Sequence, residues 1–159
     1  MFTLSDIPMF FVNFFIILPM VTLIHEAGHV LTARMFGGKI KFCIGTGETL
    51  FNVGPLEVKK KYFMEGWCQY ESLTYNKTWT HVCIYLAGSG FNLIVILMLN
   101  YLISSKFLPP TLFFYQFAYF SIYFIFFSLF PYRNDDGKPS DGMAVYDVLR
   151  YGKAKDPID

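Results

Sequence analysis

The sequence predicts a membrane-embedded, mostly α-helical protein: three transmembrane helices, a small β-meander between helices 1 and 2, and a short C-terminal helix. Three observations predict it. The 159 residues are 54% hydrophobic and 20% aromatic, but only 16% are charged, against about 25% in a typical soluble domain. Three apolar stretches each reach the roughly 20 residues that a helix needs to cross a bilayer. Twelve of the thirteen Lys and Arg fall in two segments, the long loop after the first stretch and the tail after the third, as expected where basic residues are held on one side of a membrane. The same composition argues against a disordered chain and, with three Cys, against a disulfide scaffold. A net charge of +1 gives no sign of a nucleic-acid partner. The length suits a single membrane-embedded unit over 1–159.

The first span is expected over about 7–36. It is apolar from Ile7 to Ile24, broken only by the uncharged Pro8, Asn13, Pro19 and Thr22, and its helical pattern continues to about Phe36. No Lys or Arg precedes Arg34, so the basic start of a cleavable signal peptide is missing. The loop that follows, about 38–72, has strand character. Lys39, Lys41 and Cys43 alternate with Ile40, Phe42 and Ile44, 51–55 reads as a turn, and Leu56 to Phe63 and Trp67 to Tyr70 supply two further runs. A β-meander at the cytoplasmic membrane interface follows. The second span is expected at 81–104 and the third at 111–130, the latter uncharged and bracketed by Pro109-Pro110 and Pro131, residues that end helices because they cannot donate to the ladder. A last helix over about 140–151 would be capped by Ser140, with Met143, Tyr146 and Leu149 on one face. Three spans place the long loop and the C-terminal tail on the same side. Their charge makes that side cytoplasmic and puts the N-terminus outside.

The chemistry sits at the cytoplasmic end of the first span, where the chain reads His25-Glu26-Ala27-Gly28-His29. Histidines four apart share a helix face, so both imidazoles can reach one zinc ion. Glu26 projects about 100° from His25 and can act as general base beside the metal without being a ligand. Ionisable groups in a span are costly and tend to be functional.

A catalytic zinc site takes three protein ligands. His81 opens the second span and reads as an interfacial residue. Cys43, Cys68 and Cys83 form no C-x-x-C pair and read as buried thiols on a reducing face. Carboxylates remain, clustered after the third span as Asp135, Asp136 and Asp141. Asp141 is the expected third ligand because it opens a capped helix, which holds a ligand better than a loop. Asp136, followed by Gly-Lys-Pro, is the alternative. Charge bias alone had already put both ends of this site on one membrane face.

These residues resemble the site-2 protease family of intramembrane zinc metalloproteases over most of the chain. His25-Glu26-x-x-His29 is similar to its zinc-binding helix. Ile44-Gly45-Thr46-Gly47, Gly54 and Gly66-Trp67 resemble its glycine-spaced β-region. Gly88-Ser89-Gly90-Phe91-Asn92 resembles a glycine-x-x-x-asparagine element on its second core helix. Leu129-Phe130-Pro131 with Ser140-Asp141-Gly142 resembles its third-helix signature, whose Asp-Gly supplies the last zinc ligand. Two features depart. Family members often carry Asn one place before the Leu-hydrophobic-Pro element, where this chain has Ser128, and the interval from Pro131 to Asp141 is longer than in many members.

The resemblance and the residues together imply a zinc endopeptidase, with His25, His29 and Asp141 holding Zn²⁺ and Glu26 as catalytic base. It would cut peptide bonds within or near transmembrane segments of membrane proteins or peptide precursors. Asn92 can bind substrate or serve as a polar interhelical contact. The expected partners are a transmembrane or membrane-associated protein or peptide substrate and the lipid bilayer, with a homo-oligomer left open. The expected location is a bacterial plasma membrane, with the active site near the cytoplasmic face. The alternative from another class is a non-catalytic membrane metal-binding protein acting as a binding or immunity partner, which would have no need of Glu26.

Overall fold

A computed structural model of the chain describes residues 7–135 and 137–152. The first span is one run of helix over Ile7–Met35. It consists of α1 (Ile7–Val12), a π-helical turn (Asn13–Ile17) and α2 (Leu18–Met35). Pro19 lies in the first turn of α2, where it cannot donate back along the helix and its ring would meet a carbonyl one turn earlier. The wider π turn just ahead of it absorbs that mismatch without breaking the span.

Two long antiparallel strands follow, β1 (Lys39–Val53) and β2 (Leu56–Glu71). Their bases pair from Lys39 with Glu71 to Ile44 with Gly66, and their tips from Thr46 with Lys61 to Val53 with Leu56. Phe42, Cys43 and Ile44 are also in register with Leu56, Glu57 and Val58. Three segments therefore lie side by side, 39–44 between 66–71 and 56–58, so the small sheet expected between helices 1 and 2 is built from two bent strands. The bend falls at Gly45 and Gly47, with φ of 91° and 90°, a region that L side chains avoid. The hairpin leans against the first span, since the Phe63 ring packs on Phe14 and Phe15 with centroids 5.1 and 4.9 Å apart.

The second span is α3 (Thr78–Ser104) and the third is α4 (Leu112–Leu129), close to the expected limits. Their buried contacts with the first span form a small apolar core around Ile17, Val21, Leu99 and Phe117. The outer faces carry exposed apolar side chains such as Ile94, Leu97 and Met98 on α3 and Tyr119, Ile122 and Phe126 on α4. A soluble protein would hide these; a membrane protein turns them to lipid.

The final helix is α5 (Asp141–Tyr151), capped by Ser140, whose Oγ accepts from the Met143 N–H at 3.2 Å. Ser140 also donates from Oγ to the Phe130 carbonyl at 2.6 Å, tying the start of α5 to the end of α4. The face shared by Met143, Tyr146 and Leu149 is not the packed one: Ala144, Asp147 and Val148 are buried, while Tyr146 and Leu149 are exposed. The Asp147 carboxylate sets this rotation, because it is buried in an ion pair with Arg133 of the preceding turn.

Candidate metal centre

The site forms where α2, α3, α4 and α5 meet. His25 and His29 lie one turn apart on α2, and both are buried. From Ile7 to His25 the helix rises about 27 Å at 1.5 Å per residue, which puts the pair toward the far edge of a hydrocarbon core about 30 Å thick. His29 donates from Nδ1 to the Ile84 carbonyl at 2.7 Å. That bond fixes the tautomer, so Nε2 carries a free lone pair. The Phe124 ring meets the His25 ring edge-on at 4.9 Å.

Asp141 arrives from the other end of the chain. Its Oδ2 lies 2.9 Å from His25 Nε2 and 3.4 Å from His29 Nε2, and the two Nε2 atoms are 3.0 Å apart. Ligands held about 2.0–2.1 Å from a tetrahedral zinc would be separated by roughly 3.3 Å. Two imidazole nitrogens and one carboxylate oxygen at these spacings fit that ion in chemistry and in size. Burial alone would push the Asp141 carboxyl up, but the neighbouring His29 and His25 hold it well below the usual carboxylate range.

Two glycines make the convergence feasible. At Gly88 of α3, an added Cβ would collide with His29 Nε2 and come 2.6 Å from His25 Nε2. The space at the donor atoms therefore exists because residue 88 has no side chain. At Gly142, a Cβ would collide with the Leu129 carbonyl, so Asp141 reaches the histidines only because its neighbour lets α5 lie directly on the end of α4.

Glu26 is 5% exposed and stands beside the three donors without joining them. A Cβ on Gly66 of β2 would lie 3.2 Å from its Oε1, and its Oε2 has no hydrogen-bond partner among the described residues. A buried, unpartnered carboxyl is costly to keep, and in this position it is available to exchange a proton.

The centre opens into a cleft of about 480 Å³. One wall is the Gly66–Tyr70 stretch of β2, and the opposite wall carries Tyr123, Phe124, Phe127 and Ser128 of α4. The strand and this helix do not pack on each other among the described residues, so the cleft is an open slot. Cys68 sits in the strand wall; burial first, and then the Glu26 and Asp141 carboxylates, push its thiol up to about 12.

The remaining sequence candidates divide. His81 stays out of the metal group: the Tyr70 hydroxyl donates to its Nδ1 at 2.9 Å, and its Nε2 donates to Asn76 Oδ1 at 2.7 Å. Asn92 is fully buried in α3, its amide lacks a partner among the described residues, and it is not part of the cleft wall. Asp136 lies outside the described residues. The site also recruits Ser128, whose Oγ donates to Asp141 Oδ2 at 2.6 Å, and Ser89, 3.1 Å from Ser128. The sequence marks position 128 only as a departure from the family's usual Asn, and Ser89 only as part of the Gly88–Asn92 element; neither gives a signal of a link to Asp141.

The chain is 44% identical over 153 residues to the Uncharacterized membrane protein YwmF of Bacillus subtilis (strain 168), covering 96% of each chain. No solved structure matches it. Peptidase family M50 matches residues 13–130, which include both histidines, Glu26, Gly88 and Ser128, and Asp141, beyond that stretch, is folded back onto them. A membrane protein with this match over most of its length belongs to peptidase family M50.

Proposed function

We propose that this chain is an intramembrane zinc endopeptidase that hydrolyses peptide bonds within or beside transmembrane segments of membrane proteins or peptide precursors. The observation that carries the proposal is the convergence of His25 Nε2, His29 Nε2 and Asp141 Oδ2, buried in a chain with three spans and flanked by the unpartnered Glu26. These three residues would hold the ion, and a bound zinc would supply Lewis acidity toward a peptide carbonyl and a water.

The protein's own residues account for the rest of the chemistry. His29 is kept in the tautomer that leaves Nε2 free by its bond to the Ile84 carbonyl. Glu26 accepts a proton from the water that attacks the peptide carbonyl, and returns it to the leaving nitrogen as the C–N bond breaks. A spanning helix hides its peptide groups in its own hydrogen bonds, so the substrate must be extended where it is cut. The Gly66–Tyr70 stretch forms one wall of the slot, and an extended segment lying against it can pair backbone to backbone. The aromatic wall of α4 would hold the apolar side chains of that segment.

Charge bias favours a cytoplasmic position for this end of the bundle, in a bacterial plasma membrane with the N-terminus outside. Purified protein in liposomes with single-span reporter substrates tests the activity. Cleavage that stops with a zinc chelator and resumes with added zinc is the expected result. A chain that holds one zinc and cuts no reporter would contradict it.

A further inference from the structure

Asp141 Oδ2 accepts the Ser128 hydroxyl at 2.6 Å, a length typical of O–H···O⁻ bonds. Ser128 Oγ is in turn 3.1 Å from Ser89 Oγ. Because the single Ser128 proton goes to the carboxylate, Ser89 is the donor in this second bond. Ser89 is 4% exposed and adjoins Gly88, the residue that leaves room at the histidines. The chain Ser89–Ser128–Asp141 thus links α3, α4 and α5 at one carboxylate oxygen, the same oxygen that faces both imidazoles.

We propose that Ser128, supported by Ser89, is a positioning residue that holds Asp141 in register with His25 and His29 for metal binding. The inference rests on the metal-centre assignment above. The alternative for this position is direct contact with substrate, since Ser128 also lines the cleft. The hydrogen bonds favour positioning. The Ser128 proton is committed to Asp141 and one of its lone pairs to Ser89, which leaves little capacity for a peptide. Position matters because the other ties of α5, from Ser140 to Phe130 and from Asp147 to Arg133, hold its backbone and not the Asp141 carboxylate, which Ser128 holds directly.

Outer hydrogen-bond partners of metal ligands typically change affinity by about 10–100-fold. The test is zinc affinity of the purified, full-length protein, measured by competition with a chromophoric chelator, together with the visible spectrum of the cobalt-substituted protein. Ser128→Ala should lower zinc affinity by about 10–100-fold and alter the cobalt spectrum, while the unfolding midpoint of the metal-free protein stays the same. Ser128→Thr, which keeps the hydroxyl, should restore affinity, and Ser89→Ala should cause a smaller drop in the same direction. Wild-type zinc affinity in Ser128→Ala, with a raised KM, would overturn the proposal in favour of a substrate contact. A wild-type protein that binds neither zinc nor cobalt would instead overturn the metal-centre assignment and this proposal with it.

Discussion

Gly88 decides whether the donor atoms can meet. A methyl group at this position of α3 would occupy the space in front of both imidazoles. Gly88→Ala should therefore reduce bound zinc by more than about 100-fold, a larger loss than the removal of a supporting hydrogen bond gives, with the helical circular dichroism unchanged. Elemental analysis of the purified variant checks this. Cys68 reports on the charge of the same site, because its thiol, at about 12, is held up by burial and then by the Glu26 and Asp141 carboxylates. A thiol raised above its ordinary value carries less thiolate at every pH below it. Alkylation of Cys68, followed by mass spectrometry, should therefore rise about tenfold per pH unit from pH 8 to 10 without levelling off. Glu26→Gln removes one of the two charges and should speed the reaction at pH 8; a plateau already at pH 9 would contradict the assigned environment.

Helix α5 is the element that completes the site, and polar ties add to the packing of Ala144 and Val148 in holding it on the bundle. Ser140 links its first turn to Phe130, and the buried Asp147 pairs with Arg133. Removing one partner of a buried pair leaves the other uncompensated, which costs about 3–5 kcal/mol in full burial. Arg133 keeps 31% of its side-chain exposure, so Asp147→Ala should cost less, about 1–3 kcal/mol. The loss should appear as faster hydrogen exchange over 141–151 and weaker zinc binding, with α2 and α3 protected as before. The same element shows what a sequence can and cannot tell. The Ser140 cap and the spacing of His25 and His29 are local, so periodicity and capping rules expose them. The rotation of α5 is set by Arg133 across a turn, which the apolar pattern of Met143, Tyr146 and Leu149 does not encode. Gly88, Ser89 and Ser128 stand out only by resemblance to family elements, and what each does is not legible, because each acquires its role only when helices distant in sequence are packed together.

Across the whole molecule, the three spans and the small sheet were legible because a bilayer demands long uncharged runs and the strands alternate. The bending of the hairpin onto Phe14 and Phe15 was not, since Phe63 looks like any other aromatic residue of a strand. Charge placement makes a prediction at this scale. Single cysteines introduced at Lys60 and at Lys138 should react with a membrane-impermeant maleimide only from the cytoplasmic side, and one at Lys106 only from outside; labelling of all three from one side would refute the topology. The convergence of His25, His29 and Asp141 beside the spare Glu26 carboxyl carries the proposed peptidase activity. The most direct measurement is the cleavage rate of wild-type protein and of Glu26→Gln, each carrying one zinc, on the same reporter in liposomes. Loss of a general base should slow Glu26→Gln by at least about 100-fold with zinc retained, whereas equal rates would contradict a general-base role for Glu26.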